Sequence, residues 1–191
     1  MMAQRPTITH KNKTIRFAGL PVMVAALSVL FGCSTLQPMP TVAQVDLERF
    51  MGDWYVIAHI PTFIEKTAHN AVENYRLNDN GTIAVTFTIN KDALDGPQKV
   101  YTAKGFVRDQ QTNALWGIQF IWPFKAEYRI IYLTDDYAQT VIGRSKRDYL
   151  WIMARQPTIP EEDYRQMIDF VKAQGYDIGQ IRKVPHQTAD Q

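Results

Sequence analysis

Of the side chains able to do chemistry, the thiols are quickly counted. Cys33, in "SVLFGCSTL", is the only cysteine in 191 residues. Alone it cannot close an intramolecular disulfide, and a zinc site of the usual cysteine spacing needs a second thiol. The four histidines, His10, His59, His69 and His186, include no pair at metal-ligand spacing. Asp135-Asp136 and Glu161-Glu162-Asp163 read as a turn and a helix start, where carboxylates are favoured anyway. "RSKRDY" at 144–149 resembles no nucleophile motif and reads as a solvated turn. These residues point to no catalytic group, no metal and no cofactor. One carboxylate stands apart: Glu73, in "NAVENYRL", is two positions from Tyr75 in a strand-like run.

The context of Cys33 gives it a role. Before it stand Arg5, Lys11, Lys13 and Arg16 with no acidic residue, then the uncharged run "FAGLPVMVAALSVLF" from Phe17 to Phe31. That run is shorter than the ~20 residues of a bilayer span but suits the apolar region of a secretory signal. Pro21, Gly19 and Gly32 weaken the alternative of an uncleaved membrane helix. The tail "LFGC" resembles the lipobox of bacterial lipoproteins. There cleavage precedes the cysteine, whose sulfur carries diacylglycerol and whose new amino terminus is acylated. The resemblance implies a signal peptide over 1–32, a lipid anchor at Cys33 and, because Ser34 rather than aspartate follows, sorting to the outer membrane. Two or more acyl chains hold where one is marginal, at roughly 0.8 kcal/mol per buried methylene. "STLQPMPTVAQ" at 34–44 is uncharged and aperiodic and reads as a tether. Residues 33–44 are thus the expected lipidated N-terminus and tether, and 45–191 a single domain.

Losing residues 1–32 changes the charge argument. The full chain has 21 Lys and Arg against 19 Asp and Glu; without the four cations of the signal the balance is near −2. No basic field remains to suggest nucleic acid.

What positions these residues is a series of short β-rich runs separated by turns, the mark of a barrel or sandwich. The runs are "WYVIAHI", "NAVENYRL", "TIAVTFTIN", "KVYTAKGFV", "ALWGIQFIW", "EYRIIYL", "AQTVIGR" and "DYLWIMAR". In the third, Ile83, Val85, Phe87 and Ile89 share one face. Asn80-Gly81 predicts a tight hairpin with positive φ at both central residues. No helical pattern separates the runs, so the sheet is expected to be antiparallel and meandering. After them, Thr158 with Glu161 reads as a capping box, and Tyr164, Met167, Ile168 and Val171 form an amphipathic stripe that Gly175 ends. The fold class is all-β: an eight-stranded antiparallel up-and-down barrel with one C-terminal α-helix packed outside.

Three stretches carry a family resemblance. "FMGDWYVIA" holds Gly52-x-Trp54 at the start of the first strand, "DYLWIMARQP" ends the eighth with Arg155, and "YLTDDYAQTVIG" between them carries Thr134, Asp135 and Tyr137 with one residue inserted. Together they resemble the three motifs of the lipocalins, above all the bacterial outer-membrane lipocalins, with plant temperature-induced lipocalins and apolipoprotein D as more distant relatives. The resemblance implies an eight-stranded calyx whose closed end is plugged by Trp54, with Arg155 lying across it. Such a barrel is just wide enough for one small ligand. Alternation then selects the lining: Val56 and Ala58; Glu73 and Tyr75; Val85 and Phe87; Ile118, Phe120 and Trp122; Tyr128 and Ile130; Trp151 and Met153, in register with Tyr149. The same alternation turns His59 outward, away from a haem carrier's axial position. The alternative is that large side chains fill the barrel entirely.

The resemblance implies a binder of an amphipathic lipid, a lysophospholipid or a fatty acid, held on the outer membrane facing the periplasm and serving envelope maintenance. The rival is a structural envelope lipoprotein with a filled barrel. The few lipocalins that are isomerases use a cavity thiol, whereas the only cysteine here is the anchor, so no enzyme is expected. The ligand and the membrane are the expected partners; the oligomeric state is left open, a homodimer being compatible with the sequence. For Glu73, a bulge or register slip would turn the carboxylate to water; without one it faces the cavity.

Overall fold

The computed structural model describes residues 39–187; the expected signal, Cys33 and the first part of the tether lie outside the described residues. Eight strands, β1 Gly52–Ile60, β2 Ala68–Leu77, β3 Thr82–Lys91, β4 Gln98–Val107, β5 Leu115–Gln119, β6 Ala126–Leu133, β7 Gln139–Gly143 and β8 Leu150–Ala154, each pair antiparallel with the next, and β8 returns to β1. The sheet closes into a barrel, which removes exposed strand edges. Its two ends differ. The turns at 78–81, 108–114 and 134–138 lie with the start of β1 and the end of β8, and the short helix α1 (Leu47–Phe50) covers that end. The loops 61–67, 92–97, 120–125 and 144–149 surround the other end, the mouth.

Period-two patterning builds two apolar layers. Inside, Val85 and Phe87 of β3 join Trp54, Tyr75, Trp116, Tyr128, Ile130 and Met153. Outside, helix α2 (Glu161–Ala173) lays Met167 and Val171 on Ile60, Val141, Leu150 and Ile152, with Tyr164 and Ile168 at the margin. The stripe read from sequence is therefore the packed face. The capping box is not formed: α2 starts at Glu161 with Pro160 as its cap and no side-chain cap bond, leaving Thr158 two residues outside. Gly175, at φ +86°, follows the helix end.

Two further local readings are corrected. In the β2–β3 turn only Gly81 has positive φ, +75°. The Gly81 N–H donates to the Asn78 carbonyl at 2.9 Å, so the loop is a three-residue turn with its left-handed position on glycine. The Asn80 carboxamide oxygen accepts from the Thr82 N–H instead, at 3.1 Å. In β1 the register shifts between Val56 and Ala58. This bulge inserts one residue and reverses the alternation beyond it. Ala58 consequently joins the outer layer beneath α2 rather than the interior. His59 pairs directly with the inward-facing Trp151, so it turns inward, not outward; it is 3% exposed.

Both termini of the described chain support the wall. A two-residue strand, β9 (Arg182–Lys183), pairs with the mouth half of β1, where β2 has diverged, and Val184 reaches the inner layer. The described end of the expected tether is packed: Met39 is buried in the outer layer, and the Val42 N–H donates to Ile130 at 3.0 Å.

Candidate functional site

The closed end is built around Trp54 and Arg155. The Trp54 indole N–H donates to the Phe50 carbonyl at 2.8 Å, and the Arg155 guanidinium lies 3.8 Å from the Trp54 ring centroid. Arg155 also donates to the carbonyls of Asp53 at 2.7 Å and Arg49 at 2.8 Å, stitching both strand ends to α1. Burial lowers its guanidinium pKa. Gly52, at φ +93°, lets the chain enter β1 beside this cluster, where an added Cβ would meet the Arg155 side chain at 3.5 Å. The Thr134–Tyr137 turn closes the same end. Tyr137 accepts from the Asp46 N–H at 2.8 Å, and Arg49 stacks 4.0 Å from its ring centroid while donating to the Asp135 carbonyl.

Above this clasp the barrel is filled with aromatic rings. Phe50 sits 4.9 Å from Trp54 and 5.3 Å from Trp116, and Trp116 stacks on Tyr128 at 5.3 Å. Val56, Tyr75, Ile130 and Met153 belong to this floor and do not border open space. The filled-barrel alternative thus describes the lower half of the molecule.

The upper half is open. A cavity of about 610 Å³ reaches the mouth, with Val85, Phe87, Ile118, Phe120, Tyr128 and Trp151 among its walls. That volume suits a lipid-sized or drug-sized ligand. Trp122 is not among the lining residues: β5 ends at Gln119, so alternation no longer applies, and Trp122 points into solvent, 81% exposed. Several lining residues escaped the sequence reading. So did Trp116 of the floor, which was accessible to it, lying two positions before Ile118. Phe63, Ile64, Glu65 and Ile121 come from mouth loops, where no periodicity exists to find them. Arg144, read as part of a solvated turn, also borders the cavity.

Glu73 faces the cavity, level with Trp54 on β1 and Phe87 on β3. It accepts a hydrogen bond from the Tyr75 hydroxyl, which in turn lies 2.7 Å from the Tyr128 hydroxyl. Burial pushes the Glu73 carboxyl up to about 7; the Glu65 charge adds to the rise, and the Tyr75 bond opposes it. Burial, helped by the Glu73 charge, raises both tyrosines well above the usual phenol range. A carboxyl that is half-neutral near physiological pH can donate to a ligand oxygen or, ionised, face a cation.

Nearer the mouth, Glu65 is 3% exposed and fully occupied. Its carboxylate accepts from the Trp151 indole N–H at 2.7 Å and from the Thr62 N–H at 2.7 Å and hydroxyl at 2.5 Å, holding loop 61–67 against β8. Burial lowers the pKa of neighbouring His59, partly offset by the Glu65 charge. His59 does not border the cavity.

A clasped floor below a one-ended apolar cavity is the geometry that comparison with other proteins can place. The sequence profile of the lipocalin-like domain matches residues 45–186. The chain is a lipocalin. It is 32% identical to the outer membrane lipoprotein Blc of Citrobacter freundii over 85% of this chain and 94% of that protein. It is 31% identical to temperature-induced lipocalin-1 of Arabidopsis thaliana over 77% and 82%, and 27% identical to bovine apolipoprotein D over 82% and 89%. Among solved structures, insecticyanin from the tobacco hornworm Manduca sexta has the same fold, with a TM-score of 0.63 at 13% identity over 79% of this chain and 86% of that one. As a family, lipocalins bind and transport small hydrophobic molecules, and the open upper half of this barrel is the place such a molecule would occupy.

Proposed function

We propose that this lipocalin is anchored to the outer membrane through lipidated Cys33, faces the periplasm, and stores or transports an amphipathic lipid for envelope maintenance. The ligand class is a lysophospholipid or a fatty acid. The observation that carries the reading is the cavity itself: apolar walls at Val85, Phe87, Ile118 and Ile121, open at one end, with a carboxyl and a tyrosine hydroxyl at its floor. An acyl chain of ~16 carbons offers roughly 10 kcal/mol of transfer free energy before the costs of binding. A structural lipoprotein with a filled barrel has no use for an open, largely apolar upper half. The lipobox-like "LFGC" and the similarity to outer membrane lipoproteins support the anchor and its location.

Glu73 gives the ligand reading a discriminating test. Its carboxyl faces the cavity, and in this reading it meets a choline or ethanolamine group, or a ligand hydroxyl. Delipidated protein titrated with a fluorescent lysophosphatidylcholine and a fluorescent fatty acid should bind both. Glu73→Gln should weaken the zwitterionic ligand more than the fatty acid. No saturable binding of either returns the protein to the structural reading. Equal effects of the substitution on both remove Glu73 from head-group contact.

A further inference from the structure

The mouth differs from the rest of the surface. Of the large hydrophobic side chains exposed among the described residues, all but Ile178 stand there: Phe63, Val100, Phe120, Ile121, Trp122 and Phe124. Trp122 and Phe124 do not line the cavity, so the ligand reading gives them no work, yet they are 81% and 76% exposed. A contiguous apolar rim of this kind marks an interaction surface.

Charge and chain path indicate what it meets. The exposed lysines Lys66, Lys91, Lys99, Lys125 and Lys146 ring the mouth, against Asp92, Asp95 and Asp148. At the closed end the exposed charges are mainly acidic, with Asp46, Glu48, Asp53, Asp79, Asp135 and Asp136. Aromatic rings flanked by lysines match the interface of a bilayer with anionic lipids, where rings sit at head-group level and each cation adds attraction. The N-terminal segment runs in the corresponding direction. Val45 bonds to Thr112 at the closed end, Val42 to Ile130, and the Met39 carbonyl accepts from Arg129, opposite Gly143 and one residue from the mouth loop 144–149. Traced backward, the chain climbs toward the mouth. Five residues separate Met39 from Cys33, a span of at most ~20 Å over six chain steps.

We propose that the mouth rim docks on the surface of a phospholipid bilayer, Trp122 and Phe124 entering the head-group region, so that lipid passes between bilayer and cavity without crossing water. The rim stands on its own surface; only the short tether rests on the proposed lipidation of Cys33.

The test uses the mature lipoprotein in vesicles of phosphatidylethanolamine and phosphatidylglycerol, some carrying brominated acyl chains. Trp122 emission should be quenched, and Trp122→Phe should remove most of the quenching, because Trp54, Trp116 and Trp151 lie inside the barrel. Phe124→Ser should slow transfer of a fluorescent lysophospholipid between vesicles roughly tenfold, the effect of losing one interfacial aromatic, with its affinity for that ligand in solution unchanged. Unquenched Trp122 with normal transfer by Phe124→Ser overturns the proposal. So does a dimer in analytical ultracentrifugation that Phe124→Ser dissociates, which makes the rim a face between two copies. Labelled palmitate incorporation at Cys33 is scored separately. If it fails, the anchor reading falls, and the same quenching with vesicles added to the unanchored protein decides the rim.

Discussion

Replacing Glu73 by glutamine should remove one specific component of the protein's pH dependence. The glutamine oxygen can still accept from Tyr75, so shape and hydrogen bond are preserved while the ionisable proton is lost. The folded carboxyl titrates at about 7, against 4.5 for an unperturbed one. A pKa raised on folding means that the stabilising contribution is complete below pH 4.5, where both states are protonated. It is then lost as pH rises through 7, because the unfolded chain ionises more easily. A gap of about 2.5 pH units at ~1.4 kcal/mol each amounts to about 3.5 kcal/mol. Urea unfolding of ligand-free protein from pH 4 to pH 8.5 should therefore show the wild type losing roughly that much relative to Glu73→Gln, with the change confined to pH 4.5–7 and a plateau above. Since every other titrating group is common to both proteins, the difference isolates this carboxyl. A difference that is flat across the range would show that Glu73 is hydrated in solution and would refute the burial argument.

Trp54→Ala should cost ~3–5 kcal/mol in urea unfolding, because it removes a fully buried indole from the floor. Arg155→Ala should cost less, and the double variant less than the sum, since the two side chains touch; strict additivity would count against the clasp. Cys33→Ala should abolish membrane anchoring while leaving ligand affinity of the domain unchanged, as read by fractionation and by fluorescent-lipid titration; a variant still lipidated in the outer membrane would remove Cys33 as the anchor. Glu65→Ala should destabilise the fold by about 2–3 kcal/mol, as the Trp151 and Thr62 donors lose a charged acceptor, and faster amide exchange in residues 61–67 should accompany it. Unchanged exchange there would mean that the loop is held by other contacts.

Much of this molecule is written in local patterns. Alternation along β3 dictates which residues face inward because successive side chains of a strand point to opposite faces. The stripe on α2 likewise dictates which face meets the barrel, and the three motifs place Gly52, Trp54, Arg155 and the Thr134–Tyr137 turn at one end. Other features depend on neighbours distant in sequence. The bulge at Val56–Ala58 arises where β1 leaves β2 for β8 and β9, and no pattern within "WYVIAHI" announces it; Ala58 and His59 exchange faces as a result. Trp122 continues the alternation of Ile118 and Phe120 on paper, but β5 stops at Gln119 and the ring swings out. Whether the barrel is full or hollow was equally beyond a strand-by-strand reading. Phe50, Trp54, Tyr75, Trp116 and Tyr128 come from five separate segments, and only their meeting fills the lower half and leaves the upper half open. Periodicity is a property of one strand, whereas occupied volume is a sum over all eight, so the inward positions of the regular strands were legible in the sequence, while which of them border open space, and how much space is left, was decided by closure.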